Sequence, residues 1–387
     1  MARTCAAASA KPSWAPTRTN SAWDKDASER PKRSRQPGEC RIRRSPPSRP
    51  YSQGDSMFRN RQGHQYLMAR VAAVLAFVQI SLASPAFAQD QYPSKPIRLI
   101  VPFPPGGGGD KLARTIAPVL GDALHAKILI DNRGGANGNI ALQAVATSPP
   151  DGYTIGLTLT DHIALSQAMH PNLSYDPVKD LASLGLIVST PYVFTVSAES
   201  SIDSIAGLLA RARKEPGAAS IGHPTVTPLL AAHLLQKSAD VKFNFIPYRG
   251  IAQGMPDLLG GRLDVWIGTS VTMRSFVDGG KVRAIGVTSA QRNPALPKVP
   301  TIAESGVPGF ELVTWYGLVA PAHTPAAIVE RLNAALGAAL RDPGVGEKLD
   351  ADGAVILGGP PVNMARALRA DMERLGRLIK EVGIKPE

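Results

Sequence analysis

The chain has 387 residues with 43 Lys+Arg against 31 Asp+Glu, a formal charge of +12 that would ordinarily point to nucleic acid or an anionic membrane. The excess is local, because residues 1–88 hold 15 of the basic and 5 of the acidic residues and leave 28 against 26, or +2, for the rest. Nucleic acid is therefore not an expected partner, and with both cysteines (Cys5 and Cys40) in that leading segment, disulfides, thiolate catalysis and Cys metal sites are excluded from residue 89 onward.

Residues 1–56 are rich in Arg, Ser and Pro and show no apolar periodicity, a composition that cannot bury enough surface to fold. They read as a disordered or spurious extension, with translation expected to start at Met57 or Met68 instead of Met1. Residues 57–88 read as a signal peptide. Arg59, Arg61 and Arg70 lead, the apolar run VAAVLAFVQISLA follows, and Ala86-Phe87-Ala88 gives a small-x-small end that predicts cleavage after Ala88. The run is shorter than the roughly 20 residues of a spanning helix, so a periplasmic chain beginning near Gln89 is expected.

From residue 95 the pattern alternates short β-branched runs with helix-period stretches. IRLIVPF, KILIDN and YTIGLTL read as strands, and DKLARTIAPVLGDAL and NGNIALQAVATS as the helices between them, the order of parallel β-α-β units. GLIVSTPYVFTVSA reads as an unusually long strand. The rhythm then restarts with a helix whose Ile205, Leu208, Leu209 and Ala212 share one face, stopped by Pro216-Gly217. KFNFIPY, RLDVWIG and KVRAIGVTS follow as strands, with MPDLLGG as the end of a helix. Four prolines between 290 and 314 mark that stretch as a connector and not a central strand. In the C-terminal part, Thr324 is expected to cap a helix starting at Pro325, striped by Ile328, Leu332, Ala335, Leu336 and Leu340, and a second amphipathic helix is expected over 361–382. Three segments follow: 89–191 as the first part of domain 1, 192–311 as domain 2, and 312–387 returning to domain 1. Two α/β domains joined by more than one crossing define a hinged cleft, with ligand beyond the carboxyl ends of the strands.

Several blocks in order, among them YPSKPIRLIVPFPPGGGGD, IDNRGGANGNIA, PDGYTIGL, YDPVKDL, PYRGIAQGMPDLLGGRLDV, TIAESGVPGFE and TWYGLVAPAHTP, closely resemble the Bug-type periplasmic solute-binding proteins of tripartite tricarboxylate transporters. The resemblance covers nearly all of residues 92–387. It implies a type II periplasmic-binding (Venus flytrap) fold closing on a small carboxylate, integral-membrane transporter subunits as partners, and a monomer without cofactor. A sensory co-receptor for a membrane kinase would use the same clamp and is the alternative.

The stretch PFPPGGGGDK, with Phe103 leading Gly106, Gly107, Gly108, Gly109 and Asp110, is neither a Walker A loop nor a dinucleotide fingerprint, for lack of Gly-Lys-Ser/Thr and of a third glycine at Lys111. It reads as a glycine nest at a helix N-terminus, where free N–H groups and the macrodipole favour an anion; the plainer alternative is a tight turn with Asp110 as cap. Where the family carries Gly-Gly-Ser-Thr-Asp, this chain has lost two hydroxyls. Where the family has small residues after the third strand, it has Thr160, Asp161 and His162; His162 is expected as a cation facing a carboxylate or as an acceptor, and Asp161 as a repulsive element unless the ligand carries a donor. Domain 2 is expected to add His223, Thr225 and Thr227, with Gly268 and Thr269 where relatives have Asp-Asn. Arg249 is expected at a surface or between domains, and Trp315 and Tyr316 as hinge packing. An enzyme is not expected. There is no Gly-x-Ser-x-Gly elbow and no His-Glu-x-x-His, and the histidines are scattered without metal spacing.

Overall fold

The computed structural model describes residues 92–386. The extension, the signal peptide and its cleavage point, and both cysteines lie outside the described residues.

The first third of the described chain builds β1 (Ile97–Val101), α1 (Gly108–Leu124), β2 (Ile128–Asn132), a 3-10 turn (Ala136–Gly138), α2 (Asn139–Ala146), β3 (Thr154–Leu159) and the short helices α3 (Thr160–Ala164) and α4 (Ser166–Met169). β1 lies between β2 and β3, parallel to both. Then come β4 (Leu181–Ser197), α5 (Ile205–Lys214), β5 (Ser220–His223), α6 (Val226–Ala239), β6 (Asn244–Pro247), α7 (Ile251–Leu259), β7 (Val265–Thr269), α8 (Ser270–Asp278) and β8 (Val282–Val287). Here β5 is the middle strand, parallel to β6 and β7. The chain closes with β9 (Val313–Pro321), α9 (Ala326–Arg341), α10 (Pro343–Ala351), β10 (Val355–Ile356) and α11 (Pro361–Val382).

One strand belongs to two sheets. From Leu181 to Pro191, β4 runs antiparallel to β9, which itself pairs with β3; from Tyr192 onward it pairs with β7 and β8 instead. Each sheet has its own apolar core. Leu99, Ile116, Leu157 and Leu336 lie in the first, and Phe194, Leu208, Ile221 and Leu230 in the second, so the molecule is a pair of α/β lobes. The face read from the periodicity of α5 is the buried one, since Ile205, Leu208, Leu209 and Ala212 all point into the second core.

Three elements differ from their sequence expectation. The connector rich in proline ends at Leu312, and its last residues pass into a central antiparallel strand, β9; TWYGLVAP is buried throughout, so no alternation marks it. His223 and Thr225 flank no loose loop but end β5 and cap α6, a helix that Pro228 in its first turn obscures. Thr324 is not the cap of α9; that position belongs to Pro325, and the Thr324 hydroxyl donates to the Pro321 carbonyl at 2.7 Å.

Thr288 joins both passages between the lobes. Its hydroxyl accepts from the Tyr192 N–H at 2.8 Å and donates to the Leu312 carbonyl at 2.5 Å, and its own backbone bonds Tyr192 and Leu312 as well. Thr288→Val keeps the volume but orphans two buried backbone groups, for a loss of about 1–3 kcal/mol in a urea melt. A loss below a few tenths of a kcal/mol would show that the hydroxyl does not hold the passages.

Candidate functional site

The carboxyl ends of β1, β2, β3, β5, β6 and β7 all deliver chain to one cavity of about 450 Å3 between the lobes. Pro102–Pro104 and Gly107–Gly108 follow β1, Gly135–Gly138 follow β2, and Leu159 and His162 stand at the end of β3. Across the gap are His223–Val226 after β5, Tyr248–Ile251 after β6 and Gly268, Thr269 and Thr272 around the end of β7, with Tyr192, Trp266 and Tyr316 from the sheets between.

Five helices of eight residues or more, α1, α2, α6, α7 and α8, begin on this wall. Their N-caps are Gly107, Gly138, Thr225, Gly250 and Thr269, and none makes a side-chain capping bond. By contrast Ser204 and Asp342, the N-caps of α5 and α10, stand away from the cavity and accept bonds from Gly207 and Val345. The wall holds no Asp, Glu or Lys, and Arg249, at its exposed edge, is its one arginine. The Thr227 N–H of α6 is taken by Asp161; the free N–H groups and positive ends of the other four helices, in a space lined by no acidic side chain, make an anion site.

The histidines on the wall add no charge. Burial pushes the His162 imidazole down to about 3 and that of His223 down to about 4, so both are neutral at neutral pH. His162 is therefore a donor and acceptor and not the cation considered from sequence. It packs against Phe103 with ring centroids 5.1 Å apart, and its Nδ1 is buried without a partner. His223 Nδ1 bonds the Thr225 carbonyl at 3.1 Å.

Of the residues singled out from sequence, Phe103, Gly107, Gly108, His162, His223, Thr225 and Thr269 face the cavity. Gly106, Gly109, Asp110, Thr160 and Asp161 do not. Gly106 has φ 82°, and its N–H donates to Asp110 Oδ2 at 2.9 Å; Gly109 faces the Phe103 ring, which any β-carbon there would strike. The Asp110 carboxylate also accepts from Arg114 Nε and Asn132 Nδ2, both at 3.0 Å, so it braces the glycine loop from behind. Thr160 accepts from the Trp315 N–H at 3.0 Å, and Asp161 and Thr227 are bonded to each other within the wall. Arg249, expected at a surface or between domains, lines the cavity at its exposed edge, and Tyr316, expected as hinge packing, lines it too, whereas Trp315 packs in the core and donates Nε1 to Asp371 at 2.7 Å.

Sequence reasoning missed Asn137 and Trp266. Both amide atoms of Asn137 and the indole Nε1 of Trp266 are buried and unpartnered, and both residues line the cavity. Asn137 sits in a run of four positive φ values, 119° at Gly135, 46° at Ala136, 49° at Asn137 and 82° at Gly138. Such a run is costly for the two non-glycine residues and is kept only where neighbours enforce it. Gly138 is enforced twice, by φ and by the His162 ring, which a β-carbon would meet at 2.5 Å. The Gly-Gly-Ala-Asn-Gly string between a strand and a helix was the available signal.

The geometry is that of a solute-binding receptor, two lobes around an enclosed anion-favouring cavity. The chain belongs to the tripartite tricarboxylate transporter family of receptors, whose family model matches residues 112–384. A protein of Pseudomonas sp. (strain P51), the UPF0065 protein in the tcbD-tcbE intergenic region, is 39% identical over 316 residues, 81% of this chain and 94% of its own. Among solved structures, R. palustris Rpa4515 with adipate matches with a TM-score of 0.74 and 34% identity over 76% of this chain and all of its own. The periplasmic binding protein BugD matches with a TM-score of 0.73 and 31% identity over the same shares. These relatives bear out the Bug-type resemblance and the flytrap fold. Among the described residues no helix is long and apolar enough to cross a membrane, and no group of three or more acidic, His or Cys side chains is placed to hold a metal.

Two pH effects follow. Burial raises the Asp110 carboxyl, but bonds from Arg114, Gly106 and Asn132 outweigh it and hold the group below its ordinary value. Its contribution is present above the usual carboxylate range and lost as pH falls below about 4. Asp110→Asn should cost about 1–2 kcal/mol at pH 7 and progressively less below pH 4. His162 and His223 act over a different window. Only the unfolded chain protonates them between about pH 6.5 and 4, so stability falls as pH is lowered across that window. The melting temperature of His162→Gln should fall less over that window than that of the wild type; equal slopes would count against a buried neutral His162.

Proposed function

We propose that the protein is an extracytoplasmic receptor that captures a small carboxylate between its lobes and delivers it to a tripartite tricarboxylate-type membrane transporter. The observation that carries this reading is the convergence of five helix N-termini on a wall whose cavity-lining residues include no acid, four of them, all but that of α6, left without a side-chain partner. The adipate held by Rpa4515 supports a carboxylate.

The binding needs no bond chemistry. The α1 and α2 N-termini hold the carboxylate, Asn137 and His162 orient it, and Trp266 and Thr269 meet it from the second lobe. Closure removes the ligand from water, which strengthens each polar contact. The hinge lies at the two passages near 191 and 312, export is by residues 57–88, and the receptor acts as a monomer whose closed surface the membrane subunits read.

Gly108 is the point where closure is tightest, since a β-carbon there would overlap the Thr272 hydroxyl across the cleft. Thermal unfolding after denaturation and refolding, which strips carried ligand, should show a clear upward shift with at least one acid from a panel of mono-, di- and tricarboxylates. At 100 times its dissociation constant the ligand adds about 2.7 kcal/mol. Gly108→Ala should weaken that acid at least tenfold while the ligand-free melt changes little. A cooperative protein that no acid stabilises would overturn the receptor reading.

A further inference from the structure

Asp161 is an acid buried directly behind the wall of a carboxylate-favouring cavity, which it does not line. It is fully buried in α3 on the first lobe, yet its bonds reach toward the second. Oδ2 accepts from the Thr227 N–H at 2.9 Å, Oδ1 accepts from the Thr227 hydroxyl, and the Tyr192 hydroxyl stands 3.5 Å from Oδ1. Thr227 is the second residue of α6, the helix whose own N-cap, Thr225, makes no side-chain capping bond. Of the five helix ends on the wall, the α6 end is thus closed by an anion from the opposite lobe.

A helix N-terminus takes a carboxylate from a ligand or from the chain with the same geometry. At α6 the place is taken. No Lys or Arg forms an ion pair with Asp161 among the described residues, and burial raises its carboxyl against the Thr225, Thr227 and Tyr192 donors that pull it down, so what Asp161 withholds from a ligand is the α6 donors themselves. Beside uncharged polar groups such as Asn137, His162 and Thr269, the inner wall carries Phe103, Leu159, Tyr192, Leu229, Trp266 and Tyr316, an apolar and largely aromatic surface.

Given the receptor reading above, we infer that Asp161 stands in for a second ligand carboxylate, so that the cavity takes monocarboxylates with an uncharged body in preference to dicarboxylates. The adipate complex of Rpa4515 marks the contrasting case. Asp161 is in this sense a specificity-determining residue, acting by occupying a place and not by touching the ligand.

Two matched pairs of acids isolate the second carboxylate: hexanoate with adipate, and benzoate with terephthalate. Calorimetry on the refolded wild type should show at least tenfold tighter binding of the monoacid in whichever pair binds. In Asp161→Ser, which vacates the α6 end, that ratio should fall at least tenfold, chiefly through tighter binding of the diacid. Asp161→Ala, which also vacates the α6 end, should move it in the same direction and serves if the serine variant does not fold. A wild type that binds either diacid as tightly as its monoacid overturns the inference, as does an unchanged ratio in the folded variants, which is what a merely structural Asp161 would give. Failure of all four acids also overturns it; the receptor reading falls with it only if the wider carboxylate panel fails too.

Discussion

The two sheets share a strand, and the site depends on that sharing. Because β4 leaves β9 at Pro191 and takes up β7 and β8 from Tyr192, the lobes are held at a fixed small separation along one backbone, and their parallel strands end toward each other. Parallel strands put helix N-termini at their carboxyl ends, so bringing two such sheets end to end gathers positive helix ends into one space. Glycine at three of the five N-caps leaves the backbone donors uncovered where Ser, Asp or Asn would have satisfied them.

The electrostatics of that space rest on backbone and not on ionised side chains. The histidines are neutral by burial, the arginine is at the rim, and the buried donors on the wall are an amide, an indole and peptide N–H groups. Such groups carry a lower desolvation cost than a buried cation when the cavity is unliganded, and they do not change charge over the neutral range. Asp110 serves the same arrangement from behind the glycine loop, where its carboxylate fixes Gly106 without facing the ligand.

The α/β class was legible because strand and helix periods alternate cleanly and because the amphipathic faces of α5, α9 and α11 are regular. The strand β9 was hidden for a physical reason. A strand buried on both faces shows no alternation, and this one follows a stretch rich in proline. Within the site, the glycine run and His162 could be read directly, since small residues and an imidazole after strands are unusual. The pairing of Asp161 could not be read, because its partner lies 66 positions away on the other lobe and local sequence carries no sign of it. Asn137 was overlooked for the opposite reason: its importance lies in backbone conformation, four successive positive φ values, and only two glycines of the run advertise it.

The last helix bears on how such a molecule can move. Met364 and Leu368, near the start of α11, are buried with first-lobe residues, whereas Leu375 and Ile379 further along belong to the second-lobe core. One rigid rod is therefore gripped at both ends by bodies that must rotate against each other if the cleft is to open. Gly376, with open space around it, falls within the second grip, between Leu375 and Ile379. A helix seated in both cores ties the lobes together a second time, independently of the strand that they share.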